Sequence, residues 1–171
     1  MINNMHVTIT DTIQAQISYT GSVKILYMDR RDGKTKIIKE HNTGDLGLFT
    51  AITRCLAGMP ADEYLPSYIM GYYEGGLDQE AFTQHIGFAS KPVLFLDDKI
   101  GDGSSNNIVQ YTFMVPINNL IERGPKIDRL VMYNKQGQVC ATLNLVDNKI
   151  ETNVASNILI YWKLKFASAS L

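Results

Sequence analysis

Ile158-Leu159-Ile160-Tyr161-Trp162-Lys163-Leu164-Lys165-Phe166 is the stretch that decides the fold class. Ile158, Ile160, Trp162, Leu164 and Phe166 occupy every second position. Alternate side chains of a strand share a face, so one face here is wholly apolar. The other carries Leu159, Tyr161, Lys163 and Lys165, which suits water or a partner. A helical reading scatters the same residues around the axis, so the period is 2 rather than 3.6. The stretch predicts a strand covered on one side, in a sheet protein.

The same alternation recurs earlier. Val7, Ile9, Ile13, Ala15, Ile17 and Tyr19 fall on odd positions, with Asp11 as the exception where a bulge or break fits. This run is long for one strand. It is either two consecutive strands of the domain or an extended arm. An arm whose apolar face lacks a partner at home finds one on a neighbouring subunit. The candidate intersubunit residues are Val7, Ile9, Ile13, Ile17 and Tyr19. Residues 1–20 are accordingly read as an N-terminal strand or arm, and 21–171 as the main domain.

Between these ends the chain reads as short strands separated by turn signals. From Gly21, Val23, Ile25 and Tyr27 alternate up one side of a hairpin. Asp32-Gly33 signals a two-residue type I′ turn, and residues 34–40 return. One helix follows, from Leu46-Gly47-Leu48-Phe49 to Leu56-Ala57-Gly58. Thr43 or Asp45 can cap it, and Leu48, Phe49, Ile52, Cys55 and Leu56 form its apolar face. Gly58 suits the left-handed position after it, and Pro60 prevents continuation. Residues 67–73, 93–96, 108–117, 127–133 and 138–145 read as strands. Asn134-Lys135-Gln136-Gly137 is a turn, and 77–85 is a helical turn or loop. The sum is an antiparallel β-sandwich of about eight or nine strands with one short helix.

Composition narrows the function classes. Of 171 residues, 45% are apolar, enough for a buried core. Sixteen basic residues against seventeen acidic ones leave a net charge of −1, so only local charge can argue for nucleic-acid binding. The two cysteines, Cys55 and Cys140, read as buried thiols or, less simply, as one disulfide. The first residues lack the basic and apolar regions of a secretory signal, and no run approaches the length of a membrane span.

Chemistry is not signalled. His6, His41 and His85 lie at no ligand spacing. The polar loop Asp97–Asn107 superficially resembles a calcium loop, but starting at Asp97 puts Lys99 at the third position and starting at Asp98 puts Ile100 there. No nucleophile elbow, phosphate loop or dinucleotide fingerprint occurs. The chain is therefore expected to be no enzyme and to use no cofactor or metal. Two groups are candidates for binding instead. Arg30, Arg31 and Lys34 form a basic hairpin tip, read as a finger for DNA or an acidic neighbour, or as a solvated hairpin. Tyr64, Tyr68, Tyr72 and Tyr73 form a candidate binding surface for glycan or protein, or ordinary sheet aromatics.

Two stretches together resemble a known group. The first runs from the Asp32-Gly33-Lys34 hairpin through His41-Asn42-Thr43-Gly44 to the helix ending Cys55-Leu56-Ala57-Gly58. The second is Ala155-Ser156 leading into Ile160–Phe166. In this order of elements the chain resembles small virion structural proteins of tailed bacteriophages, especially neck and tail ring components of crAss-like gut phages. The resemblance implies a homo-oligomeric ring around the portal or tail axis, made in the host cytoplasm and carried in the virion. Its implied partners are other copies and other virion proteins, portal or tail components. DNA would be near but not read by sequence, and no membrane is involved. The alternative expectation is a receptor- or carbohydrate-binding domain of a phage tail or head fibre.

Overall fold

The computed structural model describes residues 15–75, 79–86, 93–97, 105–115, 126–153 and 155–170. Nine strands and one helix follow in the order β1 (Ala15–Met28), β2 (Thr35–Gly44), α1 (Leu46–Leu56), β3 (Pro66–Tyr73), β4 (Glu80–His85), β5 (Val93–Asp97), β6 (Ser105–Val115), β7 (Ile127–Asn134), β8 (Val139–Asn144) and β9 (Ile158–Ser170). The deciding stretch is the start of β9. Its Ile158, Ile160 and Trp162 are completely buried and Leu164 nearly so, while Lys163 on the alternate face is exposed.

Hydrogen-bonded neighbours run β4-β3-β7-β8-β2-β1-β9-β6-β5, and every pairing is antiparallel. β2 joins two sheets. Thr35 to Asn42 pair with β1, whereas Thr43 and Gly44 pair with Thr142 and Ala141 of β8. A strand that changes sheets at a bend makes the corner of a sandwich. β1, β9, β6 and β5 form the first sheet, and β8, β7, β3 and β4 the second. Their inner faces meet in one core: Ile25, Phe113, Ile160 and Trp162 from the first, Ile69, Leu130, Met132 and Leu143 from the second. The mainly β, antiparallel sandwich-like architecture agrees with the sequence reading.

Several local expectations need correction. β1 runs without a break through Gly21, and Ala15–Tyr19 pair with Ser170–Phe166 of β9. The boundary drawn at residue 20 therefore falls inside a strand. Gly21 is there because Asn42, its partner on β2, occupies the space a Cβ would need, with Asn42 Oδ1 1.9 Å from that position. The β1–β2 connection is also longer than a two-residue turn. Asp29 N–H donates to the Lys34 carbonyl and Gly33 N–H to the Asp29 carbonyl. Within this connection only Gly33 has positive φ, so Asp32 cannot sit in a type I′ turn. Glu80–His85, read as loop or helical turn, is the edge strand β4.

The helix forms where expected, with a different buried face. Gly47, Leu48 and Ala51 are buried, while Phe49, Cys55 and Leu56 are exposed. The buried residues lie in the first two turns, where Gly47 packs on Val139 and Cys140 of β8, and Thr53, Cys55 and Leu56 of the last turn are exposed. Cys55 is thus a surface thiol and only Cys140 a buried one, with no disulfide between them. Asp45 holds the N-cap position without a side-chain cap, because its carboxylate accepts from Thr142 Oγ1 at 2.8 Å. The C-terminus closes as a Schellman motif: Met59 N–H donates to the Arg54 carbonyl and Gly58 N–H to that of Cys55, with Gly58 at φ 65°.

Candidate functional site

The hairpin tip is not a free basic finger. Asp29 accepts from Arg31 through its backbone N–H (2.9 Å), Nε (3.0 Å) and Nη2 (2.6 Å). Arg31 Nη2 also lies 3.4 Å from Glu151, and Arg30 Nε donates to the Ala155 carbonyl at 3.1 Å. The isolated bridge between Asp29 and Ala155 brings the 151–155 segment alongside. All three side chains are exposed, but both arginines are tied back to the domain by these contacts. The Arg31 hydrogen bonds hold the Asp29 carboxyl down at about 2, well below its ordinary range, and Asp29 raises Arg31 in turn.

The four candidate tyrosines separate. Tyr68 and Tyr72 share the outer face of the second sheet, but the register shifts between Tyr72 and Tyr73, and Tyr73 joins the core. Tyr64 lies beyond the helix under the Arg54 guanidinium, 4.3 Å from its ring centre. The structure instead adds Tyr133, His85 and Arg129, which the sequence reading missed. Tyr68 stands between Tyr133 (5.3 Å, nearly parallel) and His85 (5.2 Å, tilted) across three strands. Tyr72 and Tyr133 hydroxyls bond at 2.6 Å, and Arg129 covers the Tyr72 ring at 4.5 Å. Tyr68 thus has a ring neighbour on each adjacent strand, and the Tyr72 ring is covered by a guanidinium.

The outer face of the first sheet is different in kind. Register places Lys24 opposite Lys39 and Tyr161, and Ser22 opposite His41 and Lys163. Lys163 lies opposite Gln110, and Lys165 opposite Ile108. These side chains line two adjoining depressions. One, of about 430 Å³, is bounded by Ser22, Lys24, Lys39, His41, Gln110, Tyr161 and Lys163. The other, of about 280 Å³, is bounded by Gly21, Ser22, His41, Ile108, Lys163 and Lys165. Glu40 borders the larger one, but it stands opposite buried Val23 and its carboxylate accepts from Asn148 Nδ2 at 2.8 Å. One end of the same face is apolar, with Ile37 and Met114 exposed across from Leu26 and Leu159.

A third feature is backbone. Where β2 leaves for the second sheet, Ala15–Thr20 of β1 keep β9 on one side. Among the described residues no strand pairs with them on the other. Of the candidate intersubunit residues, Ile17 and Tyr19 lie on this half-paired segment, while Val7, Ile9 and Ile13 fall outside the described residues. So does most of the calcium-like loop.

Among the described residues no group of His, Cys, Asp and Glu could hold a metal ion, and no helix is long and apolar enough to cross a membrane. No family model matches this chain, and neither a curated protein nor a solved structure matches it.

Proposed function

We propose that this protein is a bacteriophage virion structural subunit that assembles with copies of itself into a neck or tail ring. The observation that carries the reading is the half-paired β1. A strand with β9 on one side and, among the described residues, no strand on the other presents backbone donors and acceptors that can take up a further strand. The sequence just before it supplies one, with Val7, Ile9 and Ile13 alternating. Donated to the next copy, that strand makes a head-to-tail contact, and such contacts close into a ring when the rotation between copies permits. The resemblance to ring components of tailed phages supplies the setting, and the sandwich supplies a rigid body to carry the joint.

Light scattering after size exclusion, with electron microscopy of the same fractions, tests the assembly. The full chain is expected to form closed oligomers, and a variant lacking residues 1–14 to run as a monomer with an unchanged far-ultraviolet spectrum. Immunogold labelling of particles then tests the place. Label at the head–tail junction or along the tail supports the reading; label only at fibre tips overturns the ring in favour of a receptor-binding domain.

A further inference from the structure

We infer that the outer face of the first sheet binds single-stranded nucleic acid. Lys24, Lys39, Lys163 and Lys165, with His41, converge there from β1, β2 and β9. The described outward side chains of β2, β1, β9 and β6 include no carboxylate, although the chain as a whole carries a net charge of −1. Lys24 and Lys39 stand directly opposite one another across the β1–β2 pair. Like charges in that arrangement destabilise a sheet, and among the described residues no ion pair reaches Lys24, Lys39 or Lys165. A fold that keeps such a pair is complementary to an anion lying over it.

The identity of the anion follows from the residue types. The basic residues of this face are four lysines and one histidine, with no arginine. Lysine is depleted where proteins bury surface against each other, and it serves phosphate as a compact point charge. Lys163 and Lys165 are neighbours on one face of β9, roughly 6.7 Å apart along the strand, a spacing that follows an extended phosphodiester chain. Tyr161 lies among them, half-buried and flanked by Lys24 and Thr112. An aromatic ring within a basic groove is the arrangement on which unpaired bases stack. A duplex keeps its bases stacked inside and has no use for that ring. This inference rests on the sheet face alone and stands apart from the ring assembly.

Fluorescence anisotropy of a labelled oligo-dT of about 20 nucleotides tests it on the full chain. Binding is expected to weaken about fifty-fold between about 50 and 200 mM salt if four lysines meet phosphates. Lys24→Glu and Lys163→Glu are expected to abolish it, and Tyr161→Ala to weaken it about tenfold. Lys34→Glu at the hairpin tip should leave it unchanged. Lys39→Glu should weaken binding yet raise the melting temperature, because it turns a like-charge pair into an opposite one. Retained Trp162 emission certifies the fold of each variant. Absence of binding at about 50 mM salt overturns the proposal. So does equal or tighter binding of a duplex or of polyglutamate, or an unchanged affinity in Tyr161→Ala.

Discussion

Asp29 and Arg31 grip each other across a two-residue span, with Arg31 Nη2 2.6 Å from Asp29 Oδ2 and the carboxylate only 3% exposed. The pair explains how a charged turn can lie against Ala155 and Glu151 instead of projecting. Its folded carboxyl titrates near 2, against about 3.9 in an unfolded chain. A depressed carboxyl stabilises the fold above the unfolded value, and that contribution is lost as pH falls from about 4 through about 2. Asp29→Asn should therefore melt below the parent at pH 7, with the gap closing by about pH 2. Thermal melts across that range check it. A gap that persists unchanged in acid would show that the carboxylate's charge is not what holds the turn.

The two thiols differ in the folded state. Cys140 is completely buried, and burial, with the Asp45 charge nearby, pushes its thiol up to about 12. Cys55 is on the surface of the last helical turn. Since the thiolate is the reactive form, a colorimetric thiol reagent should titrate one equivalent in the native protein and two after unfolding. Cys55→Ser should remove the native equivalent and leave the second.

Much of this architecture is written in the sequence, and the reasons for the rest are physical. Period-2 runs and Gly58 mark local geometry, so β9 and the helix end are legible from neighbouring residues. Continuity of β1 is not, because Gly21 reads as a break until Asn42 is known to fill the space above it. Tyr73 turns inward through a bulge whose register is set by β7, information that lies more than fifty residues away. Arg31 is a surface charge by composition and a tethered one only once Glu151 is brought beside it. The basic face is the clearest case. Lys163 and Lys165 fall on one face of a strand by sequence alone, but their company with Lys24, Lys39 and His41 is a product of the pairing of β9 with β1 and of β1 with β2.

Trp162, the single tryptophan, is completely buried, and its indole Nε1–H meets no acceptor among the described residues. A buried unsatisfied donor costs about 1–3 kcal/mol. Trp162→Phe loses packing volume but removes that donor, so the two effects offset and the net change should lie within about 1 kcal/mol of zero. Trp162→Ala opens a cavity in the middle of the core and should cost about 3–5 kcal/mol. Urea unfolding followed by circular dichroism measures both. In the parent, emission should be blue-shifted and move to the red in the same transition.

Gly47 and Gly58 bracket the helix for different reasons, and their alanine variants separate the two. A Cβ on Gly47 would lie 2.6 Å from the Val139 carbonyl oxygen and 3.3 Å from Cys140 Sγ, so the helix could keep its seat on β8 only by moving away. Alanine gains up to about 1 kcal/mol of helix propensity over glycine, but forcing packed backbone apart costs about 1–3 kcal/mol. Gly47→Ala should therefore be net destabilising, and it should raise the reactivity of Cys140 as the seat above it loosens. Gly58 has open space around its missing side chain but sits at φ 65°. Gly58→Ala should cost about 1 kcal/mol through backbone strain alone, with Cys140 as unreactive as in the parent. Equal thiol reactivity in the two variants would show that the helix is not held to β8 through the Gly47 contact.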